Sequence, residues 1–269
     1  MFEASDLAIA AFIGVGAGLV GGLAGVGGSI IMLPALALFV GFSTAEKTEQ
    51  HLYAAAAMAV NFVVALPAAR THLKKVDGPV LSMVRWLLPA ALVGIVVGVL
   101  VSNQVQGDRL KLLLAAFIAA YSIFNLFRAF RPKNPPNAPA PAQRPPAPAL
   151  AATGGFTGLA AGVLGIGGGI VLVPVLQLAC RVPIKPAIAA SSAVMAVTAI
   201  LGASLKLGTL GEHGLDWRDG LLLAGAMAPG AIAGSMIGSA LTHALPTRVF
   251  RIVLSVILLA AAARMAGIL

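Results

Sequence analysis

Apolar residues fall into eight long runs, at about 7–41, 51–69, 80–102, 110–130, 151–180, 187–205, 220–241 and 248–267, with most of the charged residues between them or near their ends. A helix crossing a bilayer needs about 20 apolar residues. Six of the runs therefore predict one membrane helix each. The runs at about 7–41 and 151–180 are longer than one helix and marginal for two. They are also rich in glycine and end in a proline, both of which break helices. Each predicts a single broken crossing, a re-entrant hairpin, or two short helices returning to the starting side.

The two glycine runs resemble each other. GLVGGLAGVGGSIIMLP, from Gly18, aligns with GLAAGVLGIGGGIVLVP, from Gly158, so that Gly22, Gly25, Gly27, Gly28 and Pro34 face Gly162, Gly165, Gly167, Gly168 and Pro174. The resemblance continues downstream. Ala54, Ala55, Met58 and Asn61 face Ser191, Ser192, Met195 and Thr198, and Pro89, Gly94 and Gly98 face Pro229, Gly234 and Gly238. An internal duplication is the reading that accounts for all of these matches. The expected fold is an all-α polytopic membrane protein of two homologous repeats, about four hydrophobic segments each, each opening with a Gly-rich broken or re-entrant segment. The repeats are 1–130 and 151–269, joined by a Pro-rich linker over 131–150.

Composition supports the membrane assignment. Only 10% of residues are charged and 59% are hydrophobic, against about 25% charged in soluble domains. The net charge of +9 fits Lys and Arg concentrated in cytoplasmic loops. It comes without the basic-aromatic interleaving of a nucleic-acid surface, so nucleic acid is not an expected partner. The one cysteine, Cys180, permits no internal disulfide. The amino-terminal MFEASD has no basic stretch before the first apolar run, so that run is expected to be retained rather than cleaved. The linker, RPKNPPNAPAPAQRPPAPA, is too rich in proline to span lipid. Its Arg131, Lys133 and Arg144, and the basic loop expected over Arg70–Lys75, are placed on the cytoplasmic side. The distribution of Lys and Arg fits both eight single crossings and an inverted pair of halves, which leaves the sidedness of the termini open.

Catalytic and metal chemistry find little support. Every Asp and Glu lies at a segment end or in a loop, and none of His51, His72, His213 and His243 is spaced with acids as a metal site. No cofactor or metal is expected. Polar residues inside the segments are few. Asn61 sits on a stripe with His51, Ala54, Met58 and Ala65, and Thr198 on one with Ser191, Met195 and Gly202. Polar groups facing lipid are costly, so both stripes should face inward. Ordinary helix–helix hydrogen bonding explains them as well as a binding site does; their equivalent repeat positions favour the site. Gly25, Gly27, Gly28 and Ser29 in one copy, and Gly165, Gly167, Gly168 and Gly169 in the other, precede apolar runs that read as helix starts. Backbone N–H groups at a helix start attract anions without a basic side chain. Close helix crossing is the competing reading of these glycines. The candidate substrate site is thus Gly25, Gly27, Gly28, Ser29, Asn61, Gly165, Gly167, Gly168, Gly169, Ser191, Ser192 and Thr198.

At these residues the chain resembles the TauE/SafE family of sulfite exporters, also called the TSUP family. The twin glycine-proline motifs, the helix after each and the loop RTHLKKVDG carry the resemblance, which covers nearly the whole chain outside the linker. It implies a transporter of about eight segments in two repeats, moving sulfite, a sulfonate such as sulfoacetate, or a related small organic anion. Members of the family often carry Thr-Ser early in the helix after the motif. The second half here keeps Ser191 and Ser192, whereas the first reads Tyr53, Ala54, Ala55, with His51, Tyr53 or Asn61 as substitutes. No ATP-binding motif is present, so the expectation is a secondary transporter in the plasma membrane. Its expected partners are the lipid bilayer and a small anion, and a homodimer is left open. The alternatives are a carrier for another small anion such as a carboxylate, or a membrane-embedded enzyme or assembly factor.

Overall fold

A computed structural model describes residues 2–24, 27–40, 48–74, 80–130, 145–241 and 247–268. The described residues are helical throughout, with no strand among them. In chain order the α-helices are α1 (Ala4–Ala24), α2 (Ser29–Phe39), α3 (Glu49–Lys74), α4 (Val80–Asn103), α5 (Gly107–Phe130), α6 (Ala147–Leu164), α7 (Gly169–Leu178), α8 (Ile184–Thr209), α9 (Trp217–Leu241) and α10 (Thr247–Met265). A single 3₁₀ turn, Leu210–His213, follows α8. Among the described residues, six helical stretches are long and apolar enough to cross a membrane. Large apolar side chains such as Phe12, Leu81, Val93 and Phe127 point outward from the bundle. That belt suits lipid contact and gives a multi-pass membrane protein.

Each glycine run divides unequally. α1 and α6 have 21 and 18 residues, while α2 and α7 have 11 and 10. The longer arm is of spanning length and the shorter is about half of that. Pro34 and Pro174 lie inside the short helices rather than ending them. Two other boundaries differ from expectation. α3 continues to Lys74, so the basic stretch from Arg70 is helix and not loop. α6 starts at Ala147, on a Pro146 N-cap, so the last four residues of 131–150 are helical. Proline favours the first turn of a helix, where its missing N–H is not needed. The rest of the linker, through Arg144, lies outside the described residues.

The packing crosses between the halves of the sequence. α1 lies against α9, and α6 against α4. Both contacts are seams of glycine. A β-carbon on Gly14, Gly18 or Gly22 would enter the backbone carbonyls of Met227, Ala231 or Ser235; one on Gly234 or Gly238 would enter those of Val15 or Leu19. The second seam is built alike, Gly154, Gly158 and Gly162 meeting the carbonyls of Leu87, Ala91 and Ile95. Lipid tails give helices no hydrophobic reason to associate, so backbone-to-backbone contact of this kind holds them together. α3 and α8 run through the middle, packed on each other; α4 also touches α8, and α9 touches α3. The central helices are the more completely buried ones, and α3 buries Leu52 through Met58 in an unbroken run.

Candidate functional site

The glycine breaks shape the chain around the middle of α3 and α8. Gly27 has φ +86°, and Gly165, Gly167 and Gly168 have φ +75°, +69° and +81°. L-residues rarely adopt this left-handed region. It lets α6 stop, the chain reverse direction locally, and α7 begin within four residues. The aligned pair Gly28 and Gly168 are not conformationally equivalent, since Gly28, which caps α2, has φ −92°. Its constraint is space instead: a β-carbon there would lie 2.7 Å from Met32 Cε and 2.8 Å from the Ala17 carbonyl oxygen. Gly25 lies outside the described residues.

Asn61 stands where the two breaks approach each other. It is 1% exposed. Its side-chain amide donates to Ser29 Oγ at the first turn of α2. A β-carbon on Gly27 would lie 3.4 Å from Asn61 Oδ1, and one on Gly167 would lie 2.5 Å from Asn61 Nδ2. One amide group therefore separates the two motifs. Asn61 Oδ1 is buried and has no hydrogen-bond partner among the described residues. Burying an unsatisfied polar atom costs about 1–3 kcal/mol, an expense that a packing role leaves unexplained.

The α8 side is built from Ser191, Met195 and Thr198. Ser191 Oγ donates to the Gly169 carbonyl at 3.4 Å, tying α8 to the start of α7. Thr198 Oγ1 donates to the Val194 carbonyl in its own helix at 3.0 Å. Ser192 Oγ likewise turns back to Ile188, at 2.9 Å, and makes no contact with either break through that hydroxyl. A small cavity of about 10 Å³ is lined by Thr157, Gly158, Gly167, Gly168, Ser191, Met195 and Thr198, among others. That is room for about one water. Asn61 is not in its lining; it reaches the same place through Gly167. Of the three residues named as substitutes for a first-half hydroxyl, Asn61 is at the break. His51 lies at the end of α3, its ring stacked on His213 at 3.9 Å between centroids.

The backbone completes the chemistry. The first N–H groups of any helix have no carbonyl one turn below them. Here the Ile31 N–H closes on the Gly28 carbonyl at 3.0 Å and the Val171 N–H on that of Gly168 at 3.1 Å. The N–H groups of Ser29, Ile30, Gly169 and Ile170 precede them, at the positive ends of α2 and α7. An anion placed there needs no lysine or arginine. Two contributors were not legible in advance. Met195, whose sulfur would lie 3.1 Å from a β-carbon on Gly27, is marked in the sequence only by its spacing on the stripe. Thr157 sits on the long arm α6, and nothing in its local sequence separates it from an ordinary helix hydroxyl.

Residues 10–265 match the family model described as Sulfite exporter TauE/SafE. Two relatives named Probable membrane transporter protein MamO are each 25% identical: that of Magnetospirillum gryphiswaldense over 93% of this chain and 43% of its own length, and that of Paramagnetospirillum magneticum over 98% and 45%. Probable membrane transporter protein MJ0441 of Methanocaldococcus jannaschii is 35% identical over 39% of this chain and 40% of its own. The chain thus spans less than half the length of these curated relatives. No solved structure matches it.

Proposed function

Because the chain belongs to the sulfite exporter TauE/SafE family, we propose that it is a secondary transporter of the plasma membrane that moves a small sulfur-containing anion, such as sulfite or sulfoacetate. The observation that carries this reading is the position of Asn61, held between two glycine breaks from opposite halves of the sequence. In transporters, paired broken helices near the bilayer midplane present half-helix N-termini to anionic groups. The starts of α2 and α7 supply two such termini, and Ser29, Asn61, Ser191 and Thr198 supply the side chains around them. Sulfite and sulfonates spread their charge over three oxygens, which suits several N–H donors arriving from two directions.

The two halves are read as duplicated units. Their order of helices supports this, running long, short, long, long, long in each half. So does the exchange of partners, in which α1 packs on α9 as α6 packs on α4. A cavity of about 10 Å³ is too small for the substrate, so this conformation is closed around the site. Transport then requires the α1–α9 pair and the α4–α6 pair to rock against each other about the central helices α3 and α8. With no ATP-binding motif in the sequence, the work comes from a gradient of ions, protons or the substrate itself.

Uptake into proteoliposomes tests the proposal. The full chain should accumulate radiolabelled sulfite and sulfoacetate, and each should compete with the other. A carboxylate such as malonate should compete weakly. Preference for the carboxylate would move the substrate class, and no uptake of any anion by correctly inserted protein would contradict transport.

A further inference from the structure

The inward stripes of α3 and α8 do not stop at the glycine breaks. Continued by one helical step beyond Gly202, the α8 stripe reaches Lys206, and the α3 stripe begins at His51. Lys206 is 2% exposed, although it lies in the last turn of its helix. Its ammonium donates to Ser102 Oγ on α4 at 2.8 Å, the hydrogen bond the structure gives it. Among the described residues no carboxylate is hydrogen-bonded to it. His51 and His213 stack on each other at 3.9 Å between ring centroids at the same end of the α3–α8 pair. His51 Nε2 is 3.1 Å from the Val105 carbonyl, while His213 Nε2 is buried and has no hydrogen-bond partner among the described residues. An ammonium buried with only a hydroxyl for company is expensive, and ionisable groups in a membrane bundle mark ion pathways.

We propose that Lys206, with Ser102 and His213, is a second anion station on the transport path, at one end of the α3–α8 pair. The eight residues from Lys206 to Thr198 put it about 12 Å from the central site, and the ten from His51 to Asn61 give about 15 Å. An oxyanion there gains a counter-charge in Lys206 and a ring N–H in His213. The station also closes the path at that end. Residues 48–51 and 102–105 of the first half meet 206–213 of the second, where Thr48 Oγ1 donates to the His213 carbonyl at 3.2 Å and Lys206 to Ser102. Arrival of the anion exchanges the Lys206–Ser102 contact for a charged one and loosens this closure. Lys206 faces inward between helices, so a lipid headgroup is not the ligand. The station depends on the function proposed above only for which anion is carried.

Two measurements on the full chain decide it. In proteoliposomes, sulfite KM and kcat are compared for wild type, Lys206→Met and Lys206→Arg over a range of salt. Loss of one charge contact should raise KM about ten-fold in Lys206→Met. The salt dependence of KM should flatten as well, and Lys206→Arg should stay near wild type. A wild-type KM in Lys206→Met, or an arginine variant no better than methionine, overturns the station. If wild type carries no sulfite, the failure belongs to the substrate reading, and the station is judged by sulfate binding. Purified wild type and Lys206→Met are titrated with sodium sulfate, with ionic strength held constant by sodium gluconate, and bound sulfate is read by calorimetry. Binding weaker by about ten-fold in Lys206→Met supports the station. Equal binding by the two overturns it.

Discussion

Asn61 is the residue on which the site turns, and its two amide atoms make different predictions. The amide donor holds Ser29, while Oδ1 is buried and accepts from none of the described residues. Removing both with Asn61→Ala deletes one hydrogen bond, worth about 1 kcal/mol net, and relieves one unsatisfied atom. Stability should therefore change by at most about 1 kcal/mol, read as the denaturation midpoint in detergent. Substrate affinity should fall about ten-fold or more, a loss larger than the folding effect. Equal losses in both would return Asn61 to a packing role. The glycines divide by mechanism. Gly168→Ala must place an L-residue at φ +81°, a strain of about 1–2 kcal/mol. Gly28→Ala has no such strain but would push on Met32 and the Ala17 carbonyl. Both should abolish uptake while the protein still inserts, and Leu19→Ala should do much less. At this scale the sequence was informative where chemistry is rare. An asparagine and a threonine in apolar helices announce themselves, and their equivalent positions tied them together. Lys206 escaped because a lysine near a helix end reads as a loop residue; only the continuation of its stripe shows that it points inward. Ser192 could not be told from Ser191 by type, since one helical position decides which hydroxyl reaches α7 and which bonds back to its own turn.

At the scale of elements, the helices follow the hydrophobic runs because a membrane helix must satisfy its own backbone and has few other options. Boundaries fell within a few residues of the apolar runs except where polar ends continue the helix, as α3 does to Lys74. The unequal division of the glycine runs was not legible, since glycine marks where a helix can break without saying how long each arm will be. The glycine seams yield a sharper prediction than their G-x-x-x-G spacing alone. A β-carbon on Gly158 would enter the Ala91 carbonyl, whereas one on Gly155 would lie 3.8 Å from the nearest atom, the Ala90 carbonyl oxygen. Gly158→Ala should force α4 and α6 apart and lower the thermal midpoint in detergent by several degrees, consistent with about 1–3 kcal/mol for an overpacked contact. Gly155→Ala should be neutral or slightly stabilising, because alanine suits a helix better than glycine does. Equal effects from the two would contradict the seam.

For the whole molecule, the crossing of partners means that neither half is a self-contained bundle. α1 needs α9, and α4 needs α6. The linker must then only permit the halves to meet. Replacing residues 132–144 with a Gly/Ser segment of equal length should leave uptake intact. Extending the replacement through Pro146 should not be as well tolerated, because that proline caps α6. Loss of uptake in the shorter replacement, with normal expression, would show the linker to be a functional element.

The central claim is that an anion is held by helix N-termini and an asparagine rather than by a basic side chain. It is tested most directly by titrating the purified chain with methanesulfonate and with dimethyl sulfone, which share a shape and differ in charge. Attraction at two helix starts predicts that the sulfonate binds more tightly by about ten-fold or more, or at least about 1.4 kcal/mol. In Lys206→Met, where the second station adds no charge, it also predicts that Gly168→Ala narrows the difference. Equal affinity for the charged and neutral molecules would contradict the claim and leave the glycines with a packing role alone.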